Sequence, residues 1–211
     1  KSIPEPASYI KSSRYSLVRY LEKNAPQPKL LNAIGVQENI AVISEAANSF
    51  GYFNILPDLE DGIVRWGPLA IKYGEDIYPH LSLEAVRKFL GSPLLILNAA
   101  GYGVDSIQIG NKTVPTDERG RILINFRGPQ KTFPHYSFSD VIDGQVPADA
   151  LKDKIVLVGA TATGIYDMRA TPVGGTFPGI EIHANIIDTI LKDDYIHRPD
   201  WIVVFDILAI L

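Results

Sequence analysis

The sequence predicts an α/β domain, a mixed sheet with a central buried strand flanked by helices. Three observations carry that expectation. Hydrophobic residues make up 46% of the 211 and charged residues 21%, which supplies a core and lies far from the composition of disordered chains. The run Lys154-Ile-Val-Leu-Val-Gly159 is short, apolar and bounded by polar residues, as a strand buried on both faces is. Ile180, Ala184, Ile187 and Leu191 form one stripe at helical spacing, the pattern of a helix lying on a sheet. At about 100–200 residues per domain, the chain divides into a helical part over residues 1–49, an α/β core over 50–200 and an apolar segment over 201–211.

The remaining elements follow in chain order. Residues 13–24 place Tyr15, Leu17, Val18 and Leu21 at helical spacing until Pro26 and Pro28 break it. Residues 37–50 read as a second helix, with Ile40, Ile43, Ala47 and Phe50 on one side and Gly51 as its stop. Tyr52–Ile55 and Ile63–Tyr73 are strand candidates around the turn Pro57-Asp-Leu-Glu-Asp-Gly62. Gly74-Glu-Asp76 turns the chain into Ile77-Tyr78. Ser82 stands where it would cap a helix over Leu83–Leu90, closed by Gly91. Leu94–Leu97 is a short strand, and residues 104–126 read as further strands, of which Arg121–Phe126 is the clearest. Gly110-Asn111 and Asp117-Glu-Arg-Gly120 supply their turns. Ser137 or Ser139 caps a short helix ending at Gly144. Residues 160–179 form a long connection, where about 2–6 residues are usual between strand and helix, and loops of that length are usually functional or disordered.

Charge and composition exclude several functions. A net charge of −4 leaves no basic surplus to neutralise phosphates, so nucleic acid is not an expected partner. With no cysteine there is no disulfide, thiolate metal site or cysteine nucleophile. The sole methionine is Met168, so the chain reads as a fragment or a processed product, and its first residues lack the apolar centre of a signal peptide. Trp201–Leu211 is nearly all apolar but only 11 residues long, against about 20 for a membrane-spanning helix. It reads either as a buried terminal helix or as the start of a transmembrane one, and Trp201 after His197-Arg198-Pro199-Asp200 suits a membrane interface.

No catalytic set emerges. Gly159-Ala-Thr-Ala-Thr-Gly164 follows a strand as a phosphate loop would, and Thr161 and Thr163 offer hydroxyls there. The Lys and Ser/Thr that a nucleotide loop needs next are replaced by Ile165-Tyr166, which favours a structural turn. His183, with Glu181 two positions away, lacks the second His of a zinc-protease helix, and is either a hydrogen-bonded structural His or a ligand. Glu181, Asn185 and Asp188 share a face that reads as solvated or partner-facing. The acidic run 57–62 fails as a calcium loop because Pro57 and Leu59 occupy ligand positions. Arg127 and Arg169 each offer a fork for a carboxylate or phosphate, or else an internal salt bridge, for Arg169 with Asp167. The expected site has no catalytic residue, metal or cofactor, and its ligand-binding candidates are Thr161, Thr163, Asp167, Arg169, Arg127 and His183.

Three ordered blocks carry a family resemblance. They are Phe50-Gly-Tyr-Phe-Asn-Ile-Leu-Pro-Asp-Leu-Glu-Asp-Gly-Ile-Val-Arg65, Pro115-Thr-Asp-Glu-Arg-Gly-Arg-Ile-Leu-Ile-Asn-Phe-Arg-Gly-Pro129 and Lys154-Ile-Val-Leu-Val-Gly-Ala-Thr-Ala-Thr-Gly164. The last continues through Asp167, Arg169-Ala-Thr-Pro172 and Pro178-Gly-Ile-Glu-Ile-His-Ala-Asn185. Over about Phe50 to Trp201 the chain resembles the second class of CHASE domains, extracellular sensory domains associated with cyclases and histidine kinases. The resemblance implies a sensor module rather than an enzyme, on the extracytoplasmic face of the cell membrane. It implies a membrane partner through the helix beginning at Trp201, an unknown small-molecule or physical stimulus, a homodimeric full-length receptor and a cytoplasmic cyclase or kinase as output. The chain departs from the family in one respect: the strand–helix–strand segment that usually opens such domains is absent. A soluble α/β enzyme with residues 160–179 as its lid, and a structural dimerisation module, are the alternatives.

Overall fold

The computed structural model describes residues 6–161, 167–196 and 208–209. In chain order the elements are α1 (Ser8–Lys11), β1 (Leu17–Tyr20), β2 (Leu31–Asn32), α2 (Ala41–Ala46), β3 (Trp66–Pro68), β4 (Ala70–Tyr73), β5 (Asp76–Pro79), α3 (Leu81–Phe89), β6 (Leu95–Ala100), β7 (Gly103–Ile109), β8 (Lys112–Pro115), β9 (Arg121–Leu123), α4 (Phe138–Ile142), α5 (Ala148–Leu151), β10 (Met168–Thr171), β11 (Gly174–Pro178) and α6 (Gly179–Lys192).

The largest sheet runs β1-β6-β7-β8. β1 lies parallel to β6, with Leu17 opposite Ile96, and the other pairs are antiparallel. Every residue of β6 is buried, as expected of a strand rich in Leu, Ile and Ala with strands on both sides. A second sheet, β2-β4-β5, turns its hairpin through Gly74, whose φ of 62° suits glycine. β3 pairs with β9, and the Arg121 guanidinium stacks 4.5 Å from the Trp66 ring centroid, a cation–π contact. Helices α3 and α6 pack together over a shared apolar cluster in which Leu83, Val86, Leu97, Ile107, Ile182, Ile186 and Ile190 are inaccessible to solvent. Gly51 passes so close to α3 that a Cβ there would lie 2.6 Å from the Leu81 Cα. That approach lets Tyr52 bridge to His80 at the helix start.

The mixed α/β class therefore holds, and several expectations are corrected. Residues 13–24 are not a helix: Leu17–Tyr20 is strand β1. Short apolar runs fit either period, and Val and Tyr favour a strand once β6 offers a free edge. The helix expected over 37–50 shrinks to α2, because Val42 and Ile43 find no core and stay exposed. Tyr52–Ile55 forms one bridge rather than a strand. The long strand at 63–73 breaks into β3 and β4, which pair in different sheets. The cap of α3 is His80 rather than Ser82: its ring accepts from the Ser82 backbone N–H at 3.4 Å.

The largest correction concerns the central strand. Residues 154–159 belong to none of the sheets among the described residues. Ile155 and Leu157 lean on the core, while Val156 and Val158 are 53% and 74% exposed. The alternation is that of a strand with one covered face. An apolar run cannot by itself say whether its neighbours are present. The membrane helix expected from Trp201 lies outside the described residues apart from 208–209, and no described helix is long and apolar enough to cross a membrane.

Candidate functional site

Helix α6 organises the polar chemistry. Glu181, Asn185 and Asp188 recur at positions that share one helical face. They are not solvated: Glu181 and Asn185 are 3% and 1% exposed. The row holds down the segment after β9. The Lys131 backbone N–H donates to Glu181 Oε2 at 2.8 Å, the Arg127 N–H donates to Asn185 Oδ1 at 2.9 Å, and Arg127 Nε donates to Asp188 at 2.6 Å. The face thus meets a partner within the same chain.

Held this way, residues 133–138 meet residues 154–158 and the N-terminal part of α6 around one space. Between them lies a cavity of about 720 Å³, within the range of small-molecule sites. Its walls are mainly apolar, with Phe133, Val156, Val158 and Ile180 among them, and Glu181 and His135 supply polar groups. The Glu181 side chain is 4% exposed, and its Oε1 is 3.4 Å from His135 Nε2. His135 Nδ1 lies 2.8 Å from the Phe133 carbonyl, so that nitrogen carries a hydrogen and donates it.

A second polar cluster lies under α3. His80 and His183 stack with centroids 4.9 Å apart, and Tyr52 meets His80 edge-on at 5.0 Å. Ser82 Oγ is 3.0 Å from His183 Nδ1. A hydroxyl that close to an imidazole has the spacing of an activated nucleophile, but Ser82 and His80 are wholly buried, so no substrate reaches them. Burial pushes the His80 pKa well below the ordinary imidazole value, and the neighbouring His183 adds to the effect. Burial also lowers the His183 pKa, opposed by the charge of Asp167 and a bond to the Phe53 backbone. Both rings are held neutral, and the pair joins the start of α3 to the second turn of α6.

The sequence-derived candidates scatter around these two features. Thr161 is exposed on the cavity rim. Thr163 lies outside the described residues. Asp167 and Arg169 approach to 3.7 Å with side chains 52% and 38% exposed. Arg169 sits in β10 opposite Phe177, and the Asp167 carbonyl receives the Gly179 N–H at 2.9 Å. Arg127 spends its fork inside the chain, on Asp188 and Asp194. His183 lies in the buried stack. No group of three or more His, Asp or Glu among the described residues is arranged to hold a metal ion.

Sequence reasoning missed the cavity, Glu181 as its buried carboxylate, and the stack. Glu181 in the first turn of the strongest helix was visible, but nothing local marked it as buried. His80 and His183 are separated by about a hundred positions and share no motif.

Comparison with known proteins agrees with the sensory reading. No curated protein and no solved structure gives a significant match. The family model of the CHASE2 domain, a sensory and typically extracellular domain found in signalling proteins, matches residues 4–211. The whole described fold, including both polar clusters and the cavity wall, falls inside that match, and the chain belongs to the CHASE2 domain family.

Proposed function

We propose that this chain is the extracytoplasmic input domain of a membrane-bound signalling receptor, passing its signal through the segment from Trp201 to a cytoplasmic cyclase or kinase. The receptor acts as a homodimer, and its stimulus is sensed here rather than processed chemically. The observation that carries this reading is the path of α6. Its first two turns line the cavity through Ile180, Glu181 and Ala184. Its last turn is gripped by Lys112, whose ammonium bonds the Leu191 carbonyl at 3.3 Å and pairs with Asp193, and by Arg127, which holds Asp188 and Asp194. A helix with one end at a cavity and the other leading in sequence toward the C-terminal segment can carry a small displacement along the chain. The family supports the sensory part of the reading.

The test uses the natural full-length protein in intact cells. A membrane-impermeant amine reagent should label the exposed Lys152 and Lys154 without lysis, and deleting this domain should change effector output. Labelling only after lysis, or output indifferent to the deletion, would contradict the proposal.

A further inference from the structure

The floor of the cavity poses a chemical problem. His135 donates its Nδ1 hydrogen to the Phe133 carbonyl, 2.8 Å away. Its Nε2 lies 3.4 Å from Glu181 Oε1. A carboxylate offers about four acceptor sites, and among the hydrogen bonds of the described residues the Glu181 carboxylate accepts one, from the Lys131 N–H at 2.8 Å. A carboxylate 4% exposed and so thinly bonded is costly to bury. An ammonium entering the cavity brings N–H donors and the opposite charge to the acceptor sites of Glu181 that remain.

The apolar walls say what the ammonium is attached to. Phe133, Val156, Val158 and Ile180 line the space, and Val156 and Val158 are 53% and 74% exposed. We propose that this cavity binds a small organic cation, an ammonium on an apolar body, with the charge against the Glu181 carboxylate and the body against the exposed valines. This deepens the sensory reading by naming the ligand class of its input site, and it rests on that reading for its role in signalling.

Direct binding to the 211-residue chain tests the chemistry without reference to topology or output, so its failure leaves the sensory reading standing. Phenethylammonium is the probe, and 2-phenylethanol and 3-phenylpropionate are its neutral and anionic counterparts. Calorimetry should show the ammonium binding at least about tenfold more tightly than the alcohol, the scale of a hydrogen bond to a charged group, and the carboxylate not binding. Glu181→Gln should abolish that preference. Because Glu181 also anchors Lys131, Ala184→Trp serves as a second variant: it fills the cavity from α6, and should abolish binding with little change in melting. Equal binding of ammonium and alcohol, or no binding of either, would overturn the proposal. So would ammonium binding that survives Ala184→Trp, or an extended peptide with a Lys or Arg side chain that binds there while the free amine does not.

Discussion

Helix α6 has two sides of similar composition and opposite fate. On one, Ile182, Ile186 and Ile190 are fully sealed against α3 and the shared core. On the other, Ile180 and Ala184 look into a cavity whose far wall leaves Val158 at 74% and Phe138 at 65% exposure. The residue types are alike, so hydrophobicity alone does not decide burial; the presence of a neighbour does. The sealed side holds the fold together. The open side leaves apolar surface exposed beside a buried carboxylate, and exposed apolar surface contributes little stability.

Substitution on the two sides should separate them most strongly. Ile186→Ala should cost about 2–5 kcal/mol, because the side chain is fully enclosed and leaves a cavity. Val158→Ala should change stability by about 0.5 kcal/mol or less. Denaturant titration of both variants measures the contrast, and equal losses would mean that the 154–158 wall is packed after all.

Acid should probe the sealed side next. The folded-state pKa values of His80 and His183 are lowered mainly by burial, whereas the unfolded rings titrate near about 6.5. Below that pH the unfolded chain takes up protons that the folded one refuses. Stability therefore falls as the pH drops from about 6.5 toward the folded-state values, by up to about 1.4 kcal/mol per pH unit for each ring that stays neutral. The His80→Phe variant, which keeps a flat ring beside His183, should lose stability less steeply over that range in thermal melts at successive pH values. An unchanged slope would show that the stack takes no part in it.

The smallest contrast lies among the arginines. Arg127→Ala breaks a half-buried fork to Asp188 and Asp194 and should cost about 1–2 kcal/mol. Arg169→Ala breaks a looser, more exposed contact with Asp167 and should cost less than about 1 kcal/mol. Chemical denaturation of the two variants reads the order, and a reversed order would make the Asp167–Arg169 pair the structural one.

How far the sequence foretold this arrangement depends on how local each signal was. The helix at α6, the turn at Gly62, the hairpin at Gly74 and the helix ending at Gly91 rest on spacing and backbone freedom within a few residues, and they stand; the expected stripe does not, because the sealed side of α6 is Ile182, Ile186 and Ile190, while Ile180 and Ala184 face the cavity. The helix expected at 13–24 failed because the pairing of β1 with β6 comes from nearly eighty positions away. The run at 154–159 was recognisable as strand-like in its apolar character, but no pattern within it reports whether a neighbour lies alongside. The cavity was least legible, since it needs α6, residues 133–138 and residues 154–158 to meet. Glu181 reads as an ordinary first-turn acid until Lys131 and His135 are seen beside it. Arg127 reads in sequence as a fork for a ligand or for an internal salt bridge; only the fold brings Asp188 and Asp194 to it.

The central claim is that the chain couples a closed core to an open, occupiable cavity through α6. Amide hydrogen exchange tests it most directly. Without ligand, the amides of Ile155–Val158 should exchange far faster than those of Ile186–Ile190, because no described sheet takes them in while α6 is helical and buried. Adding phenethylammonium should slow exchange at residues 155–158 and in the first turn of α6, and leave Ile186–Ile190 unchanged. Equal, strong protection of both segments in the empty chain, or no response to the cation at residues 155–158, would contradict the account.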